Sequence, residues 1–358
     1  MISPELQLAV ECCRHNFLGN EGSVAPKPTA GLDWPGFLAL VRFHRIQGLA
    51  WKALDDSSLA PPEIVEALAR DAEKIAADNL RAAAESRDVL DDLDAAEVPA
   101  LFVKGLTGAA LAYRQPLLKM SSDIDLLVAP RDVLPAGELL ARRGYRLLIP
   151  TPPADVGRWH RRRKESVWAR ADGLTIELHS RLADNPRLIA CLTVDSPSEK
   201  VVVAPGIRLP TLARDELFAY LCVHGSSSAW FRLKWISDLA GLIHGQSGEA
   251  IERLYEWSQA LGAERAAGQA LLLADRLFGT LGDTDLRKLF ERDRPTLRLA
   301  DAAFAQLTGP PVEPTSTRFG TWRIHLTQFA LKRGLGFKLG EFTHQARDAA
   351  ASLGRRIR

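Results

Sequence analysis

Ser122-Asp123-Ile124-Asp125-Leu126-Leu127-Val128 places two aspartates one residue apart at the mouth of an apolar run. In a strand, side chains at i and i+2 point to the same face, about 6.6 Å apart along the chain. Two carboxylates so placed repel one another unless a cation or a proton lies between them. A hard divalent cation, Mg²⁺ or Mn²⁺, relieves the repulsion, and Mg²⁺ keeps room for substrate phosphates. The pair therefore points to metal-assisted handling of phosphates. Leu126-Leu127-Val128 continues the strand apolar on both faces, which predicts a central strand and not an edge with two solvated acids.

Other residues join this pair. In Thr175-Ile176-Glu177-Leu178-His179 the alternation puts Glu177 and His179 on one face and Ile176 and Leu178 on the other. Glu177 on a neighbouring strand would complete a three-carboxylate metal site with Asp123 and Asp125. Two metals about 4 Å apart would then activate an attacking oxygen and stabilise a leaving phosphate. His179 reads as a hydrogen-bonding partner of the ligands more than as a ligand. Lys104-Gly105 lies where a strand meets a helix; glycine lets the backbone approach a ligand, and helix-start N–H groups attract phosphate. Alone, that dipeptide is an ordinary strand-to-helix turn. Trp230-Phe231-Arg232-Leu233-Lys234-Trp235-Ile236-Ser237-Asp238 reads as helix, with Phe231 and Trp235 on one face and Lys234 and Asp238 at i, i+4. Lys234 and Arg232 either reach a triphosphate or base, or Lys234 pairs with Asp238 on the surface. Arg158–Lys164, RWHRRRK, reads first as a solvated loop or strand edge, with an acidic or phosphorylated acceptor as the alternative partner.

The elements that must position these residues follow from periodicity. Residues 3–17, 34–54 and 61–95 read as helices, the last opened by Pro61-Pro62-Glu63. The texture then changes. Strands are expected at 99–103, 123–128 and 145–149, with helices at 105–113 and 132–143. A hairpin is expected for 165–170 and 174–179, turning at Ala171-Asp172-Gly173, and a further one over 200–210. From residue 213 the pattern is helical again: 213–224, 229–244, 247–261, 263–278, 294–307, 321–333 and 338–354, before a basic tail, Arg355-Arg356-Ile357-Arg358. The expected fold class is α+β, a small mixed sheet with helices flanked by helical regions. The expected division is 1–96 helical, 97–212 core and 213–358 helical.

The chain has 358 residues, 46% hydrophobic and 25% charged, enough to bury a real core. A net charge of +2 argues neither for nor against a polyanionic partner. No apolar run approaches a membrane span, and the N-terminal sequence lacks the pattern of a signal peptide. Cys12, Cys13, Cys191 and Cys222 form no CxxC, so buried free thiols in a reducing cytoplasm are expected, with neither disulfides nor zinc.

Lys104-Gly105, a following helix, basic Lys119, Asp123-x-Asp125-Leu126-Leu127-Val128 and Glu177-Leu178-His179 together resemble the DNA polymerase β-like nucleotidyltransferase superfamily. The closer resemblance is to its bacterial branch labelled "uncharacterised nucleotidyltransferase", which also carries a His…W-x-R-L-K-W-x-x-D segment, here His224 and Trp230–Asp238. Phe43-His44-Arg45 fits it too, and the resemblance spans roughly residues 35–245. It implies a polymerase-β-like core in which Asp123 and Asp125 are metal ligands and Glu177 is a third ligand or general base. It implies nucleotide contacts from Lys104, Gly105, Thr107, Lys119, Ser122, His179, Arg232 and Lys234. The chain departs from the superfamily in having Gly105-Leu106 where Gly-Ser or Gly-Gly is usual, and Lys119 where the branch commonly has arginine. The implied reaction moves a nucleoside monophosphate from an NTP to an acceptor hydroxyl or phosphate, releasing pyrophosphate. The branch's members are often encoded among biosynthetic genes, including those for peptide natural products, so a small molecule, peptide or protein is the expected acceptor and nucleic acid is disfavoured. Two alternatives stand: transfer from another activated donor such as a nucleotide sugar, and an inactive nucleotide-sensing or protein-interaction module. Asparagine at position 123 or 125 is expected to abolish transfer with little loss of stability.

Overall fold

The computed structural model describes residues 2–19, 26, 31–55, 57, 59–151, 154–282, 284–314 and 320–356, side chains from 347 onward excepted. The chain opens with α1 (Pro4–His15), where the Ser3 hydroxyl accepts the Leu6 N–H at 3.2 Å and Pro4 takes the first helical position. The single helix expected over 34–54 is two, α2 (Trp34–His44) and α3 (Gln47–Asp55). Arg45, at φ 58°, turns the chain out of α2. Its N–H bonds back to Arg42 O and the Ile46 N–H to Val41 O, a Schellman closure that usually employs glycine. Next comes α4 (Pro62–Ala95), whose buried stripe of Ile64, Leu68, Ile75 and Val89 recurs at helical spacing.

The sheet begins with β1 (Ala100–Phe102), followed by α5 (Leu106–Ala112), β2 (Ile124–Val128), α6 (Val133–Arg142) and β3 (Arg146–Ile149). A short α7 (Val156–His160) precedes β4 (Glu165–Ala169) and β5 (Thr175–His179). The five strands lie in the order β1-β2-β5-β4-β3. β2 is central and buried throughout; it runs antiparallel to β1 and parallel to β5. β4 and β5 form the expected hairpin, while β6 (Ser198–Ala204) and β7 (Ile207–Leu212) pair as a separate two-stranded sheet.

Helices then follow: α8 (Arg214–Ser227), α9 (Leu233–Ile243), α10 (Gly248–Ala260), α11 (Glu264–Phe278), α12 (Leu286–Arg292), α13 (Arg294–Leu307), α14 (Trp322–Gln328) and α15 (Leu335–Arg356). The fold is thus α+β, a mixed five-stranded sheet with helical regions before and after. Helices α7 and α12 are too short for periodicity to reveal. Of the tail, residues 357 and 358 lie outside the described residues.

Strand alternation divides the core in two. Ile124, Leu126, Val128, Ile176 and Leu178 pack on one face with Val133, Leu140 and Trp168. Leu101, Val103 and Leu127 join the other, larger cluster with Tyr113, Phe218, Tyr220, Leu233 and Ile236. Asp125 and Glu177 project on this second face, so the acids look toward α8 and α9. Cys12, Cys13 and Cys222 are buried free thiols as expected, but Cys191 is exposed. Among the described residues no helix is long and apolar enough to cross a membrane.

Candidate functional site

Parallel pairing sets Asp125 opposite Glu177 and Leu127 opposite His179. One ligand atom each from Asp125, Glu177 and His179 lie within 4.8 Å of one another. His179 Nε2 stands 3.1 Å from Asp125 Oδ1 and 3.6 Å from Glu177 Oε2, and its Nδ1 is 3.4 Å from Glu165 Oε2. The Lys104 ammonium bridges the acids, 2.8 Å from Asp125 Oδ1 and 3.6 Å from Glu177 Oε2. The repulsion expected between carboxylates is therefore already offset by a resident lysine and histidine.

Burial is the largest influence on each of these groups and opposes its charge. The pairing prevails: Asp125 is held below the usual carboxylate range by Lys104 and His179, and Glu177 by His179 and Lys104. Lys104 is held well above its usual value by Asp125, and His179 is raised by Asp125 and Glu177. The second oxygen of Asp125, Oδ2, is buried with no partner. An orphaned carboxylate oxygen within a cluster of hard donors fits a divalent cation, which takes oxygen first and imidazole acceptably.

Asp123 stands just before β2, half-buried at the cavity lining, its carboxylate accepting from the Ser122 hydroxyl at 3.2 Å. It shares the cavity with Asp125 and Glu177 but does not belong to the tight Asp125–Glu177–His179 cluster. Gly105, at φ +62°, makes the turn from β1 to α5. A Cβ there would sit 2.7 Å from Ser121 Oγ, so the site needs glycine both for its backbone and for its closeness to the next loop. Thr107, expected among the nucleotide contacts, is fully buried; its hydroxyl lies 2.7 Å from Phe102 O and 3.1 Å from Lys104 O. It ties down the turn that carries Lys104 and does not line the cavity.

Facing the acids is a basic wall. Arg45, Lys119 and Lys234 line the same cavity of about 250 Å³ as Lys104, Asp123, Asp125 and Glu177. Lys119 is fixed by an ion pair to Asp238 Oδ2 at 2.9 Å, and the Tyr113 hydroxyl donates to Asp238 Oδ1 at 2.9 Å. Asp238 is thus committed to Lys119, and the surface Lys234–Asp238 pair that helical spacing allows does not form. Lys234 is buried instead, and burial, then Lys119 and Arg45, push its ammonium down to about 7.

The segment Phe43-His44-Arg45 explains how α9 is aimed. His44 Nδ1 accepts the Leu233 N–H at 3.1 Å, at the start of α9. Burial and then Arg232 push His44 down to about 4, so its ring is neutral and able to accept. Arg232, expected at the nucleotide, turns away from the cavity. It donates to Phe43 O, pairs with Glu313 and lies over the Phe43 and Phe231 rings, both at 5.1 Å. Its planar guanidinium suits that stacked, bonded seat. Arg45 reaches the cavity and lies 3.4 Å from Ser122 Oγ.

Several lining residues escaped the sequence reading. Glu165 faces His179 across the hairpin; a register centred on Asp172 would have paired them. Lys164 ends the basic run but turns inward, paired with Glu165, while Arg158, Arg161 and Arg162 are exposed. Burial, then Lys104, Lys164 and Lys234, keep His224 well below its usual value, hence neutral. The Trp235 ring meets His224 edge-on at 5.8 Å and Phe231 at 4.9 Å.

No curated protein matches the chain. The family described as "Uncharacterised nucleotidyltransferase" matches residues 30–279, a span that contains every acid, lysine and arginine lining the cavity. With more than half of its length matched, the chain belongs to this nucleotidyltransferase family.

Proposed function

We propose that the chain transfers a nucleoside monophosphate from an NTP to an acceptor hydroxyl or phosphate, with a divalent cation held by Asp125, Glu177 and Asp123. What carries the reading is a cavity split by charge: carboxylates with a buried orphan oxygen on one side, and Arg45, Lys119 and Lys234 on the other. Such a split suits a ligand that brings phosphate anions and metal cations together. A bound divalent ion would supply Lewis acidity at the phosphate. Arg45, Lys119 and Lys234 bind the triphosphate oxygens, and Lys234, poised near neutrality, is charged by their proximity. His179 orients Asp125 and Glu177. Glu177 is the more exposed of those two acids, ionised and placed to accept the acceptor proton. The acceptor oxygen bonds to the α-phosphorus, the bond from that phosphorus to the bridging oxygen breaks, and pyrophosphate leaves with the electron pair. The division into 1–96, 97–212 and 213–358 belongs to this proposal: Arg45 comes from the first segment, the acids from the second and Lys234 from the third.

The test incubates the protein with Mg²⁺ or Mn²⁺, each NTP in turn and pooled candidate acceptors, and weighs the products by mass spectrometry. A gain of one nucleoside monophosphate with stoichiometric pyrophosphate, lost in Asp125→Asn, is expected. A gain of a sugar from a nucleotide sugar would replace the donor assignment. Absence of any Mg²⁺-dependent nucleotide binding would leave a module without this chemistry.

A further inference from the structure

A second cavity, of about 280 Å³, adjoins the first: Lys164 and His224 line both. It is bounded by the chain after β5, the end of α8, and the helices α14 and α15. Its distal wall includes His325, Gln328 and Glu341, which lie beyond the residues matched by the family. Glu341 is only 4% exposed. Amides hold both of its oxygens: Asn185 Nδ2 at 3.1 Å and Gln345 Nε2 at 2.9 Å. No ion pair joins it to a lysine, arginine or histidine among the described residues. A carboxylate at this depth has acceptor capacity left on both oxygens and, among the described residues, no counter-charge paired with it. The cavity's other acid is Asp184, and its one lysine, Lys164, is already paired with Glu165. The other polar groups of its described lining are amides, hydroxyls and the imidazoles of His224, His325 and His344, so Glu341 is the buried carboxylate there that no described side chain pairs as an ion.

Resting on the transferase reading, we propose that this second cavity is the acceptor subsite and that it takes a small alcohol bearing a protonated amine. The ammonium sits against Glu341, and the hydroxyl points past Lys164 and His224 to the carboxylates. The volume lies near the lower end of ordinary small-molecule sites, which fits a compact acceptor and leaves no room for a folded protein. The hydroxyl oxygen bonds to the α-phosphorus of the NTP, its proton passes to Glu177, and pyrophosphate departs. Helices outside the matched span thus select the acceptor, and the matched span performs the transfer.

Matched probes test the idea on the full chain without nucleotide: 4-amino-1-butanol against 1,4-butanediol, and glucosamine against glucose, by ligand-observed NMR. The amine member of each pair should bind about tenfold tighter, the gain of one charge-assisted contact. Glu341→Gln should erase that preference while Mg²⁺-ATP binding, measured separately, stays intact. If Glu341→Gln does not fold, His325→Trp, at an exposed position on the cavity wall, must abolish amine binding by occlusion. Equal binding of the neutral partners, a preference that survives Glu341→Gln, or no binding of any probe overturns the proposal. A protein that binds Mg²⁺-ATP yet shows no amine preference loses this subsite and keeps the transferase reading. One that prefers amines but binds no nucleotide loses the transferase reading instead.

Discussion

Replacing Lys104 with methionine removes the internal counter-ion while keeping most of the side-chain volume. At 2.8 Å and an effective dielectric of about 20, the attraction to Asp125 is about 6 kcal/mol before desolvation is counted. Methionine also removes the cost of burying the ammonium, but it leaves Asp125 and Glu177 facing each other with the His179 ring as their remaining close partner. Breaking one side of a buried pair costs about 3–5 kcal/mol, and His179 softens this, so about 3 kcal/mol is expected at pH 7.5 without divalent metal. The vacated position is then open to a metal ion. Mn²⁺ at 100 times its Kd should return about 2.7 kcal/mol. The wild-type protein should gain less at the same Mn²⁺ concentration, because there the ion must displace the ammonium. Urea unfolding followed by tryptophan fluorescence, with and without Mn²⁺, measures both quantities. A variant as stable as wild type, or one that Mn²⁺ stabilises no more than wild type, would refute the view of Lys104 as a stand-in for the metal.

Lys234 has a folded pKa of about 7, below its ordinary value of about 10.4. Between these values the unfolded chain binds a proton that the folded chain does not, so stability should rise with pH from about 7 to about 10. Lys234→Met should flatten that rise in denaturation midpoints, and at pH 8 it should abolish the proton uptake that calorimetry in buffers of different ionisation enthalpy detects on nucleotide binding; an unchanged slope removes Lys234 from this role. Asp125→Asn leaves Lys104 and His179 without their main partner and should cost about 2–3 kcal/mol, whereas half-buried Asp123→Asn should cost under about 1 kcal/mol, both losing transfer; equal costs in urea would contradict the different burial of the two acids. Arg232→Met should lose about 2 kcal/mol by freeing Phe43 O and Glu313 while nucleotide Kd stays unchanged, and a weakened Kd with intact stability would return Arg232 to the cavity.

The sheet was legible because alternation is strict where one face is buried. Asp125, Glu177 and His179 share a face for the same reason that Ile176 and Leu178 share the other. The pairings within the site were not legible, because they join distant positions: Lys104, before β2, pairs with Asp125, Glu165 reaches His179 from across a hairpin, and Lys119 reaches Asp238 from a loop held by Asn79, whose side-chain amide donates to Leu117 O and Lys119 O. From the sequence alone both asparagine variants are expected to lose little stability, because each removes one of two repelling carboxylates; the pairing of Asp125 with Lys104 and His179 raises the expected cost at that position. The break at Arg45 was hidden because no glycine or proline marks it. Thr107 and Arg232 sit beside true lining residues in the chain, but their hydrogen bonds turn inward. Helical spacing offered Asp238 to Lys234, and only tertiary structure gives it to Lys119 and Tyr113.

The parallel pairing of β2 with β5 has a kinetic meaning. In the finished sheet Asp125 meets Glu177 across an intervening chain that makes α6, β3, α7 and β4. Contacts so distant in sequence form slowly, since loop closure precedes any gain from them. A nascent chain that has emerged only to residue 150 carries both aspartates and Lys104, but neither Glu177 nor His179. Divalent ions should therefore leave the refolding rate unchanged and slow unfolding instead, a signature of interactions absent from the transition state. Metal would then guard the finished protein against opening without guiding its assembly.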